Sequence, residues 1–147
     1  QTPLGDCWCD AQMNQALLER FPDPDVLRVL DAAHGPEPAI EVILPMLQTI
    51  FGVGKKQTPP ITPILAGDGA AKDLEQILDT VWGAEGVLVV LATEGAVGVS
   101  ASDAERLGAE LEHAVTSLEP GSITRHHASG RVPLKAMLAR AARDQDP

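Results

Sequence analysis

Val87 to Ala92 is an unbroken aliphatic run, Val-Leu-Val-Val-Leu-Ala, bounded by Gly86 and Gly95. Apolar residues in succession, without the alternation of a half-exposed strand, predict a strand covered on both faces. Two further segments join it as strands: Val26 to Leu30, and Ile61 to Ala66 in spite of Pro63. Between them run helical periods. Asp10 is placed to cap a helix through Arg20, with Met13, Ala16, Leu17 and Arg20 on one face. From Pro38 to Phe51, Ile40, Ile43, Leu44, Leu47, Ile50 and Phe51 follow a 3.6-residue period, with Pro45 as a kink or as the start of the regular part. Asp68 and Asp73 introduce a helix with Leu74, Ile77, Leu78 and Val81 inward. Ser102 and Glu105 read as a capping box that opens a helix to Leu118, with Leu107, Leu111, Ala114 and Leu118 inward. Pro133, at the first helical position, starts a last helix to Arg143. Strands alternating with amphipathic helices predict an α/β fold of three-layer type: a small, largely parallel or mixed sheet flanked by helices, in a single domain over 1–147.

Trp8, Trp82, Phe21 and Phe51 are the whole aromatic complement, so the core has to be aliphatic. The formal net charge of −10 is spread evenly: residues 1–73 carry 10 acids and 5 bases, residues 74–147 carry 11 and 6. Such a chain lacks both the cations that neutralise phosphates and the rings that stack on bases, which argues against nucleic acid as a partner. Anionic membrane surfaces are equally disfavoured, and no apolar run approaches bilayer length. With no signal peptide in view and Cys7 and Cys9 at a strained spacing for a mutual disulfide, reduced thiols and a cytoplasmic location are expected.

The remaining motifs have ordinary readings. Gly52-Val53-Gly54-Lys55-Lys56 lacks the first glycine and the Ser/Thr of a phosphate-binding loop, and reads as a surface turn. Cys7-Trp8-Cys9 and His126-His127 lack the spacing of a tetrahedral metal site. His34 and His113 stand alone, the latter as a solvated helix residue. Glu37 and Glu41 share a helix face, either as paired acid/base carboxylates or as solvated acids favoured at a helix N-terminus. Pro120 to Arg143 holds Arg125, Arg131, Lys135, Arg140 and Arg143 and no acid. Arg140 and Arg143 suit a helix C-terminus, whereas Arg125 and Arg131 suit either an anionic partner or a solvated basic face.

Five segments in order resemble the MEMO family. Thr2-Pro3-Leu4-Gly5 followed by Asp10 and a helix resembles its TPLG…D segment, and Glu37 to Gln48 resembles its EHSxEVQLPFLQ helix. Ile61 to Gly67 resembles its hxPhLVG strand, Val87 to Val97 the strand ending in SSDxSH, and Ala128 to Leu134 the aCGrxPi turn. The resemblance covers residues 1 to about 143, and implies a fold similar to the class III extradiol ring-cleaving dioxygenases, with a histidine-built metal cleft. The cleft residues depart from the pattern. Pro38 stands for one histidine, Val97 for another, and Ser129 for the cysteine. What the resemblance leaves is a vestigial cleft of Glu37, Glu41, Glu94 and Ser129, without the imidazole and thiolate donors of a soft or borderline metal. The family's leading segment would precede Gln1, so the chain reads as the later part of a larger fold with an open edge.

The expectation is a non-catalytic MEMO-like subunit with no cofactor, working as a homo-oligomer or with a partner chain that supplies the missing half-fold. The alternative is an enzyme in which Glu94, Glu41 and Glu37 bind a divalent metal or act as acid and base, and a weaker reading is a cleft that holds a small ligand without turnover.

Overall fold

A computed structural model describes residues 2–51, 58–67, 69, 71–96 and 98–145. The Gly52–Lys56 turn, the Asp68 cap, Val97 and Gln1 lie outside the described residues. The chain divides into two compact units, Gln1–Leu65 and Ala66–Pro147.

The first unit holds α1 (Ala11–Arg20), the single turn α2 (Asp31–His34) and α3 (Ala39–Phe51). Asp10 caps α1 as its sequence position predicts, its carboxylate accepting the Met13 N–H at 2.9 Å. Leu17 is the buried residue of that helix, while Ala16 and Arg20 of the expected face are exposed. α3 runs through Pro45 to Phe51, with Ile40, Ile43, Leu44 and Leu47 half-buried and Ile50 and Phe51 exposed. Gln48 is its buried residue, 3% exposed, and ties the N-terminal turn to the helix. The turn closes through Thr2 N–H to Gly5 O (3.1 Å) and Gly5 N–H to Thr2 O (3.0 Å). The Gln48 amide donates to Gly5 O at 3.3 Å, and its Oε1 takes the Thr2 hydroxyl.

In the second unit, α4 (Ala71–Asp79) packs on α6 (Arg131–Arg143), and α5 (Ala101–Thr116) is followed by a 3-10 turn, Pro120–Ser122. Ile123, 1% exposed, sits with Ala114, Ala128, Leu134 and Leu138 in an aliphatic core, flanked by Leu91, Leu111, Val115 and Leu118. The inward faces expected of α4 and α5 are the ones observed: Ile77, Leu78, Leu107 and Ala114 are buried. Several boundaries differ, and α5 ends at Thr116 rather than at Leu118. α5 starts at the N-cap Ser100, whose Oγ accepts the Asp103 N–H at 3.2 Å, rather than at Ser102. α6 starts at Arg131, two residues before Pro133.

The expected α/β three-layer fold, and with it the extradiol-dioxygenase-like architecture, is not what forms: the described residues contain no sheet. Their pairing is limited to isolated bridges, Thr2 with Gly5 and Cys9 with Ile61. Each expected strand fails for its own reason. At Val26 to Leu30, a turn takes the first donors: Val26 and Leu27 N–H both reach Asp23 O at 3.0 Å. Pro59, Pro60 and Pro63 remove ladder donors around Ile61, which keeps a single bridge. Val87 to Ala92 forms no strand: Leu88 to Leu91 have no backbone partner among the described residues. Instead of being covered on both faces, this segment leaves Leu88 65% and Val90 45% exposed.

Candidate functional site

Of the four residues left by the resemblance, Glu94 and Ser129 come together in the second unit. Ser129 N–H donates to Glu94 O at 3.1 Å, and Glu94 N–H donates to Ser129 Oγ at 3.3 Å. Next to them, Gly130 N–H donates to Thr93 Oγ1 at 2.8 Å. A side chain at 130 would collide with Thr93, because a Cβ there lies 2.6 Å from Oγ1 and 2.9 Å from Cβ. The junction therefore uses the backbone of Glu94 and the hydroxyl of Ser129 to seat the segment 93–94 on the turn before α6. The Glu94 carboxylate is in an exposed residue.

Glu37 and Glu41 belong to the first unit. The Glu37 carboxylate accepts the Ala39 N–H at 2.9 Å, so it satisfies a free donor at the start of α3. Glu41 is exposed in the first turn of the same helix, where an acid complements the helix dipole. Both positions agree with the helix-start reading of this pair.

The most connected polar cluster, which sequence reasoning missed, is centred on His127. His127 is 8% exposed and both ring nitrogens are engaged. Nδ1 accepts the Thr124 N–H at 3.0 Å and lies 3.0 Å from the Thr124 hydroxyl; Nε2 lies 3.0 Å from Glu110 Oε2. An acceptor role at Nδ1 places the proton of the neutral ring on Nε2, which donates to Glu110. The other carboxylate oxygen of Glu110 takes Arg106 Nη1 at 2.7 Å, and Arg106 Nη2 reaches Asp103 at 3.4 Å. The hydrogen bond from His127, followed by that from Arg106, holds the Glu110 carboxyl below the usual carboxylate range. Asp103 is lowered as well, first by the Ser100 hydroxyl and then by Arg106. With both nitrogens committed, His127 offers no lone pair to a substrate proton or to Ser129, and the cluster reads as a clasp between α5 and the 124–127 turn. Glu110 and His127 are seventeen positions apart with no local pattern linking them, so no sequence signal marked the pair.

A second cluster explains the last arginines. Arg143 pairs with Glu75 at 2.8 Å and Asp79 at 2.7 Å. Arg140 Nε lies 2.9 Å from Asp79 Oδ1 without the alignment of a hydrogen bond, and its guanidinium also pairs with Asp144. The Arg140 guanidinium stands 5.4 Å from the centre of the Trp82 ring, whose Nε1–H donates to Asp144 at 2.7 Å. These cations hold α6 to α4. The docking role considered for the acid-free segment therefore does not extend to Arg140 and Arg143.

Beside Trp82 an open groove of about 230 Å³ is lined by Val81, Trp82, Gly83, Val87, Val89 and Met137. Among the described residues no three His, Cys, Asp or Glu side chains converge as metal ligands. No helix among them is long and apolar enough to cross a membrane. No protein-family model, curated protein or solved structure matches the chain.

Proposed function

We propose that the chain works by association, as a non-catalytic subunit that pairs with a second copy of itself along Val87 to Ala92. The observation that carries this reading is an exposed aliphatic segment whose backbone, from Leu88 to Leu91, has no partner among the described residues. Unpaired N–H and C=O groups in an extended, apolar stretch are a template for strand addition. A second copy fits that template. The segment carries no charge between Gly86 and Thr93, so antiparallel self-pairing sets aliphatic residues opposite one another and buries no unpaired ion. Val87, Leu88 and Val90 are exposed, and the apolar groove that includes Val87 and Val89 adds further surface beside them.

The test is sedimentation equilibrium of the purified chain at micromolar concentration. A dimer is expected for the parent, and a monomer of unchanged circular dichroism for Leu88→Lys, whose exposed position leaves the fold intact. A parent chain that stays monomeric overturns self-pairing, as does a dimer that Leu88→Lys leaves untouched.

A further inference from the structure

We infer that the groove beside Trp82 is the pocket into which each copy of the self-pair inserts the Leu88 of the other, an inference that rests on the self-pairing reading and names its anchor. The groove, of about 230 Å³, is walled by Val81, Trp82, Gly83, Val87, Val89 and Met137. Two of these residues belong to the aliphatic segment itself. Leu88, between them in the chain, does not line the groove and is 65% exposed, the most exposed residue from Val87 to Ala92. One short patch therefore carries both an apolar hollow and an apolar knob. In a two-fold pair the same patch meets itself, so residue i of one copy meets residue j of the other and j meets i. A patch with knob and hollow side by side is self-complementary under that operation.

Size and chemistry agree with this occupant. Deleting a leucine side chain from a packed core leaves a cavity of roughly 150 Å³, so the groove holds one leucine and part of a neighbour. The lining side chains are aliphatic, aromatic and thioether, and none is charged. The polar atom of the Trp82 ring, Nε1–H, already donates to Asp144 at 2.7 Å, which leaves the ring an apolar wall. A backbone ladder alone makes too small a contact. Leu88 to Leu91, paired as a strand, span only about 13 Å, whereas a standard interface buries roughly 800 Å² on each partner. The contact has to spread beyond the backbone, and the groove is continuous with it because Val87 and Val89 belong to both.

The experiment uses the Trp8→Phe chain, in which Trp82 is the sole tryptophan; Trp8 is 66% exposed, so its replacement leaves the fold intact. Sedimentation equilibrium and Trp82 emission are followed over the same concentration range. Emission is expected to move to shorter wavelength as the dimer forms, with one midpoint for both readouts, because Leu88 displaces water from the ring. Leu88→Ala is expected to raise the dimer Kd about a hundredfold or more, since each of two leucines leaving an apolar pocket is worth about a factor of ten or more. Met137→Ala is expected to weaken the dimer as well, and the double variant by less than the product of the two effects, because the side chains touch across the interface. Circular dichroism checks that each variant is folded; if Met137→Ala is not, Leu88→Ala and the emission shift decide. The inference is overturned if emission stays constant through dimerisation, if Leu88→Ala dimerises as tightly as the parent, or if the two effects simply multiply. Emission already at short wavelength in the dilute monomer would put a small apolar ligand in the groove and overturn it too. A dimer that Leu88→Lys abolishes without any emission change along the parent's transition overturns the pocket and keeps the self-pairing, whereas a monomeric parent overturns both.

Discussion

At the scale of single residues, His127 carries the most structural information. Its Nδ1 fixes the Thr124 N–H and its Nε2 faces Glu110, so one ring closes a turn and holds it to a helix. The energetic consequence falls on Glu110. Its folded-state pKa is depressed, so the stabilisation is present above the unfolded carboxylate value of about 4.3 and is lost as the pH falls through the folded value. Glu110→Gln is therefore expected to lower the urea midpoint at neutral pH and to flatten its decline on acidification from about pH 5 downward, where the parent converges on the variant. Parallel curves for parent and variant would contradict this account of the clasp. Asp144, lowered first by Arg140 and then by Trp82, adds to the same acid limb in both proteins.

Among the elements, helices follow their sequence signals and the strand-like segments do not. The Asp10 cap and the inward faces of α4 and α5 were legible because helical period and capping are local properties. The start of α5 differs from the expected Ser102–Glu105 box, because Ser100 with Asp103 forms an overlapping cap two residues earlier. Ser100 prevails by exchanging hydrogen bonds with Asp103, donating to its carboxylate at 2.7 Å and accepting its N–H at 3.2 Å. The start of α6 depends on contact with the 93–94 segment, where Gly130 lies against Thr93. Gly130→Ala is expected to cost about 1–3 kcal/mol in urea unfolding, the range for overpacking a tight contact. Gly121→Ala, where a Cβ meets nothing within 4 Å, is the control and is expected to be near neutral. Equal effects at the two sites would show that the Thr93 contact is not tight.

For the molecule as a whole, charge opposes the self-pairing that the aliphatic segment favours. Each copy carries a formal −10, so bringing two together costs repulsion that salt screens. The Debye length falls from about 30 Å at 0.01 M salt to about 10 Å at 0.1 M. Dimerisation is thus expected to tighten over that range in sedimentation experiments. A dimer that weakens with salt would mean that ion pairs, rather than the uncharged segment, hold it.

The sequence by itself determined the longer helices but not the single turn α2, and it determined the cap at Asp10, the aliphatic character of the core and the acidic balance, because each depends on near neighbours or on composition. Of the candidate site, it made the helix-start reading of Glu37 and Glu41 legible, since that too is local. It did not determine whether Val87 to Ala92 would find neighbours, because a strand is completed by residues remote in the chain and an aliphatic run says nothing about which they are. Tertiary structure decided that point, leaving the segment unpaired from Leu88 to Leu91 among the described residues. It also joined Glu94 to Ser129 and Glu110 to His127, contacts across thirty-five and seventeen positions that no local period encodes.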